Sequence, residues 1–192
     1  VHGILLQHPV PKHLDERAAF EAIPPEKDVD GVTATGLGRL WLGVDGFASC
    51  TPAGIMTLLR ECHVDLSGLD AGVIGRSPIL GKPMAAMLVA ANCTVTLCHS
   101  RTRDLASVVR RADLVVAAVG KAKFVKGDWI REGAVVVDAG YNPGNVGDVD
   151  FDAALPRVRL ITPVPGGVCP MTIATLMDQT DDAAARQLAV IV

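Results

Sequence analysis

Aromatic residues are scarce, with Phe, Trp and Tyr together making up 4% of the 192 residues. Platforms on which nucleic-acid bases stack are hard to build from so few rings. A basic excess is missing too. Lys and Arg number 18 against 21 Asp and Glu, a net charge of -3, which argues against the positive face a nucleic-acid partner requires. The five cysteines (Cys50, Cys62, Cys93, Cys98 and Cys169) are odd in number and form no C-x-x-C. That argues against a disulfide framework or a zinc site and fits a reducing compartment, the cytoplasm. No apolar run approaches the roughly 20 residues of a membrane-spanning helix, and no secretory signal opens the chain. The histidines do not cluster at ligand spacing, so no metal site is expected. The opening "VHGILLQHPVP" reads like the middle of a domain, so upstream sequence is expected in the full protein.

What is present is aliphatic. The chain is 49% hydrophobic, enough for one large or two small cores. Apolar, β-branched runs recur at 71–75, 93–98, 113–120, 134–140 and 159–164. Helical patterns at 82–92 and 103–112 separate the first three. Strands alternating with helices predict an α/β fold, a doubly wound parallel sheet with right-handed crossovers. A helix is expected over 51–62, with Thr51 as N-cap and Pro52 in its first position. Another runs from 169 to the chain end, its apolar face including Ile173, Leu176, Met177, Ala184, Leu188 and Ile191. Residues 1–50 read differently: a strand at 3–7, a short helix at about 14–22, then a turn-rich stretch. The expected organisation is a partial α/β first domain (1–50), a Rossmann-like dinucleotide module (51–165) and a last helix (166–192) returning to the first domain.

The segment "AGVIGRSPILGKPM" (71–84) resembles a phosphate loop yet fits neither G-x-G-x-x-G nor G-x4-G-K-[ST]. In doubly wound folds the ligand sits at the carboxyl ends of the strands, beside a helix N-terminus that favours anions. Gly75 would permit the tight turn, Gly81 the close helix approach, and Arg76 and Ser77 would act as donors. The alternative, an ordinary strand-to-helix turn, stays open at this point. An NAD site carries an acid on the ribose about 20 residues further on. Here the second strand ends in His99, Ser100, Arg101 and Thr102, with no carboxylate. A cationic, hydroxyl-bearing corner suits a 2′-phosphate and favours NADP, unless these residues merely cap the next helix. "KDVDG" (27–31) fails as a calcium loop, and Cys169 reads as structural.

"VHGILLQHPVPKHLDE", "IPPEKDVDG", "CTPAGI", "VIGRSPILGKPMA", "NCTVTLCHSRT", "VKGDWIREGAVVVDAG", "VGDVDF" and "ITPVPGGVCPMTIATLM" follow one another along the chain. In order and spacing they resemble the bifunctional methylenetetrahydrofolate dehydrogenase/methenyltetrahydrofolate cyclohydrolase family, over nearly the whole chain. The resemblance implies NADP-dependent oxidation of 5,10-methylenetetrahydrofolate, hydrolysis of the methenyl product to 10-formyltetrahydrofolate, a cleft shared by both steps, and a homodimer formed through the cofactor domain. It implies that Gly75, Arg76 and Ser77 form the cofactor loop. Ser100 joins Arg76 at the 2′-phosphate, and Tyr141 gives a backbone contact near the nicotinamide. Gln7 and Asp30 would be the catalytic pair of the folate pocket, Asp30 holding the pterin edge and Gln7 positioning the general acid/base. Leu6, His8 and the loop Pro165, Gly166, Gly167, Val168 and Cys169 would complete that pocket.

Three departures from the family pattern stand out. The family's catalytic lysine precedes the Q-x-P segment and has no match here, so a chain beginning at Val1 is expected to bind NADP without catalysing the hydrolysis. His8 stands where leucine is usual, and Cys169 where glycine is usual. Two other readings remain: a non-catalytic NADP-binding module of the same family, and an unrelated dehydrogenase acting on a shikimate-like or amino-acid-like substrate.

Overall fold

The computed structural model describes residues 1–188. The β-branched runs form five short parallel strands: β1 (Asp70–Ile74), β2 (Thr94–Cys98), β3 (Leu114–Ala117), β4 (Val135–Asp138) and β5 (Leu160–Ile161). Their order is β2-β1-β3-β4-β5. The chain thus winds outward in both directions from β1 and β3, and the strand order reverses between them, where doubly wound folds open their ligand crevice. Strands β3 and β4 are buried at every position, as a sheet covered on both faces requires.

Seven α-helices lie among the described residues, six of them around the sheet and the first 50 residues. These six are α1 (Glu16–Glu21), α2 (Ala34–Leu42), α3 (Cys50–Glu61), α4 (Gly81–Ala90), α5 (Leu105–Arg111) and α6 (Phe151–Ala154). The longest, α7 (Val168–Gln187), lies against α3. One apolar layer joins Ile55, Leu59, Met84 and Leu88 to Val73, Val116 and Val137 of the sheet. The opposite layer joins Val109, Val125, Ile130 and Ala154 to Val115 and Val136. Side chains from alternate strand positions thus feed two separate cores, the outcome of period-two alternation.

Residues 1–50 hold the expected short helix as α1 but depart from expectation on either side of it. The stretch 3–7 is extended but forms no ladder among the described residues. Its tie is one hydrogen bond from Ile4 N–H to Lys27 O, 2.8 Å, while Ile4 and Leu6 pack on Phe20, Ile23 and Val32. A strand needs a partner strand, and apolar content alone does not supply one. The supposed turn-rich stretch holds α2. Thr33 Oγ1 caps it by accepting from Gly36 N–H, and Gly43 ends it in the left-handed conformation (φ 65°). Both end signals are regular, but Gly36 and Gly38 each lower helix propensity by about 1 kcal/mol and mask the pattern.

Ser49, not Thr51, is the N-cap of α3, and its hydroxyl donates to Gly31 O instead of capping the helix. At the far end of the chain Gln179 of α7 donates to Val29 O and Ala48 O, Gln187 donates to His2 O, and Arg186 pairs with Asp45. Leu188 is the C-cap of α7; Ile191, expected on its apolar face, lies outside the described residues.

Candidate dinucleotide and folate sites

Three strand ends leave the sheet side by side. Ile74 pairs with Cys98 on one side and with Ala117 on the other. Gly75 N–H donates to Cys98 O (3.0 Å) and Ala118 N–H to Ile74 O (2.8 Å), so the register persists one step beyond the strands. The segments Gly75-Arg76, His99-Ser100 and Ala118-Lys121 therefore emerge together. Between them opens a cavity of about 260 Å³, walled by Ile74, Leu105, Val119 and Phe124 and rimmed by Arg76, His99, Ser100 and Lys121. No carboxylate lines it. A larger opening of about 430 Å³ lies at the amino-terminal ends of the strands. There Arg131 is already tied to Asp113, and doubly wound folds do not bind ligands at that end.

The glycines fix this geometry. Gly75 sits at φ 125°, and a Cβ there would lie 2.1 Å from Ala118 O; one on Gly81 would lie 2.1 Å from Gly75 O. The turn and the close helix approach are both steric necessities. The loop between them, however, consumes its own donors. Ser77 Oγ accepts from Leu80 N–H (3.1 Å) and Gly81 N–H (3.3 Å), and Ser77 O accepts from Lys82 N–H. Pro83, next in α4, has no N–H. The N–H groups of Leu80, Gly81 and Lys82 are thus used within the loop, and Ser77 Oγ is engaged there as an acceptor rather than lining the cavity. The full positive charges on the cavity rim are those of the Arg76 and Lys121 side chains.

His99 is held in its turn. Its N–H donates to Thr102 Oγ1, and its Nδ1 accepts from Arg101 N–H at 3.1 Å, which leaves the neutral ring its proton on Nε2. Arg101 and Thr102 thus shape the corner without lining the cavity. On the other side, fully buried Asp148 gathers the loop after β3, accepting from the N–H groups of Val119, Gly120 and Lys121 and from Asn142 Nδ2. Asp138, at the end of β4, accepts from the N–H groups of Gly140, Asp148 and Val149. Burial pushes the Asp138 carboxyl above its ordinary value, against these three bonds. Tyr141 is exposed, and its hydroxyl donates to Asn145.

The folate-side residues are spread over separate segments. Gln7 is exposed and donates to His8 O; His8 Nδ1 meets Glu16 Oε1 at 2.8 Å. The Val10 N–H, with help from His8, holds the Glu16 carboxyl below its ordinary value. Asp30 accepts from Cys50 N–H at 3.4 Å, and burial raises its carboxyl above the ordinary range. Burial, reinforced by the neighbouring Asp30 charge, likewise pushes the Cys50 thiol up. Among the described residues Gln7 and Asp30 do not bond to each other. Leu6 packs inward on Phe20 and its neighbours. In the loop before α7, Gly166 has φ 98°, and a Cβ on Gly167 would approach Pro163 O to 2.6 Å. Pro165, Gly166 and Cys169 are exposed. Val168 is buried against the sheet layer that includes Val73 and Val116, so its side chain belongs to the core.

The sequence profile of the tetrahydrofolate dehydrogenase/cyclohydrolase NAD(P)-binding domain matches residues 49–188, and that of the catalytic domain matches residues 1–30. The chain belongs to the tetrahydrofolate dehydrogenase/cyclohydrolase family. "Bifunctional protein FolD 1" of Streptomyces avermitilis is 65% identical over 190 residues, covering 99% of this chain and 66% of its own length. The chain thus spans about two thirds of the curated relatives it matches. The crystal structure of the bifunctional FolD methylenetetrahydrofolate dehydrogenase/cyclohydrolase from Campylobacter jejuni superposes with a TM-score of 0.94 at 46% identity, covering 97% of this chain and 68% of that one. The Trypanosoma brucei enzyme, solved with NADP cofactor and inhibitor, superposes with a TM-score of 0.93 at 39% identity, covering 97% and 68%.

Within this family frame, two features of the nucleotide half escape sequence reasoning. Lys121 rims the cavity because β3 lies beside β1, a neighbourhood that strand order alone decides. Asp148 belongs to the quoted "VGDVDF" motif, but its service to a loop 27 residues upstream is a tertiary fact.

Proposed function

We propose that the chain is the nucleotide-binding part, with a portion of the folate-binding part, of an NADP-dependent methylenetetrahydrofolate dehydrogenase/methenyltetrahydrofolate cyclohydrolase. It would oxidise 5,10-methylenetetrahydrofolate and hydrolyse the methenyl product to 10-formyltetrahydrofolate. The observation that carries the reading is the cavity at the β1, β2 and β3 ends, which presents Arg76, His99, Ser100 and Lys121 and no carboxylate. An NAD site sets an acid on the ribose hydroxyls, whereas cationic and hydroxyl donors suit a 2′-phosphate. NADP, when bound, supplies the hydride acceptor. This chain's residues bind and orient: Arg76 and Ser100 take the 2′-phosphate, Gly75 lets the backbone come close, and a backbone contact from Tyr141 faces the nicotinamide side.

Gln7 and Asp30 belong to the same proposal as the catalytic pair. The raised Asp30 carboxyl lies at the edge of a core, where a carboxyl group makes directional bonds to a pterin edge. Leu6, His8 and the Pro165–Cys169 loop would frame that pocket, Val168 through its backbone alone. A homodimer through the nucleotide domain is supported by β2, an edge strand with one side unpaired among the described residues. A cytoplasmic setting is supported by five free cysteines. The test is absorbance-monitored NADPH formation from NADP+ and 5,10-methylenetetrahydrofolate by the full-length protein. Turnover that falls about 100-fold or more in Asp30→Ala, the scale of a lost acid/base or orienting group, is expected; unchanged turnover in that variant contradicts the assignment.

A further inference from the structure

Three lysines lie on the segment after β3, and two have partners. Lys123 Nζ pairs with Asp150 at 3.3 Å, and Lys126 Nζ donates to Lys123 O at 2.7 Å. Lys121 differs. It forms no ion pair among the described residues, and its ammonium stands 5.7 Å from the centre of the Phe124 ring at the cavity rim. Arg76, across the cavity on the neighbouring strand end, has no ion pair among the described residues either. Two unneutralised cations thus face one cavity from adjacent, in-register strand ends.

The position of Lys121 is built. Asp148 Oδ1 accepts the Lys121 N–H at 2.8 Å, while the other Asp148 oxygen holds Val119 and Gly120. The backbone under the ammonium is therefore anchored to a buried carboxylate, and only the side chain must order when an anion arrives. The apolar walls Ile74, Leu105 and Phe124 lower the local dielectric and strengthen a charge pair formed between them.

We propose that Lys121 is a further specificity-determining residue of this cavity, a second full positive charge that acts with Arg76 on the 2′-phosphate of NADP. The proposal rests on the reading of the cavity as an NADP site. Lysine suits the task as a compact point charge with rotatable donors, complementing the planar fork of Arg76. Asp148 serves as the positioning residue that places it.

Calorimetric titration of the full-length protein with NADP+ and with NAD+ tests this, using the wild type, Lys121→Met and Lys121→Arg. Lys121→Met should weaken NADP+ binding about tenfold, the loss of one charge-assisted contact, and leave NAD+ within about twofold. Lys121→Arg should recover most of the difference, and the NADP+ advantage of the wild type should shrink as salt is raised. Equal losses for both cofactors, or none for NADP+, overturn the role of Lys121. A wild type without preference for NADP+ overturns the reading of the cavity itself, so the two failures are distinguishable. The side chain is exposed and without an ion pair, so unchanged thermal midpoints should accompany both variants.

Discussion

The nucleotide half and the first 50 residues obey different rules. In the nucleotide half, three strands in fixed register bring Arg76, His99, Ser100 and Lys121 to one cavity. In the first 50 residues, Gln7 and Asp30 hang on separate segments, Gln7 bonded to its neighbour His8 and Asp30 to the N–H of Cys50 at the start of α3, neither to the other. A parallel sheet makes a site as a by-product of its own pairing. A site assembled from loops depends on what each loop packs against. Close approaches of backbone to backbone should tolerate almost no change in either half, and open positions should tolerate much.

A matched pair of glycine substitutions breaks or confirms that contrast. Gly81→Ala drives a Cβ to 2.1 Å from Gly75 O, against backbone that cannot yield, and should cost about 3 kcal/mol. Gly38→Ala, inside α2 with nothing within 4 Å, should stabilise by about 1 kcal/mol through helix propensity alone. Denaturant unfolding of both variants reads the difference directly. Similar effects at the two positions would remove the contrast between a close approach and an open position.

A smaller effect sharpens the other side of the comparison. Burial raises the Asp30 carboxyl, so the native state keeps this proton to a higher pH than the unfolded chain does. The native state then binds more protons in that window, and stability from this group falls as pH rises from about 4, the ordinary carboxylate value, through the raised one. Asp30→Asn cannot titrate. The stability of the wild type relative to Asp30→Asn should therefore decline with rising pH, read as the difference in thermal midpoint between the two proteins. A gap that stays constant or widens contradicts a buried, raised Asp30.

The same division governs what the sequence revealed. The five strands were readable because β-branched runs bounded by helical patterns leave few alternatives; the structure moves the first by one residue and shortens the other four within their runs. Gly75 and Gly81 were readable as punctuation, and their steric role is as expected. The fate of Ser77 was not, because whether a hydroxyl serves a ligand or its own loop depends on where Leu80 and Gly81 point their N–H groups. The strand at 3–7 failed because pairing is non-local, and α2 was missed because two glycines obscured regular caps. Lys121 and Asp148 were hidden for a related reason: each acts across a strand order that local pattern does not encode. That the Val168 side chain turns to the core was not legible either, because a helix's first residue points either to core or to cleft, and only the packing decides.

The central claim is that charge from in-register strand ends, rather than a helix N-terminus, selects the cofactor. Its most direct measurement is calorimetric titration of the wild type and Arg76→Ala with NADP+ and NAD+ at low salt. The account predicts that the wild type favours NADP+, and that Arg76→Ala loses about 10- to 100-fold for NADP+ with little change for NAD+, the range of one or two charge-assisted bonds. Equal losses for both cofactors, or a wild type that prefers NAD+, would contradict it.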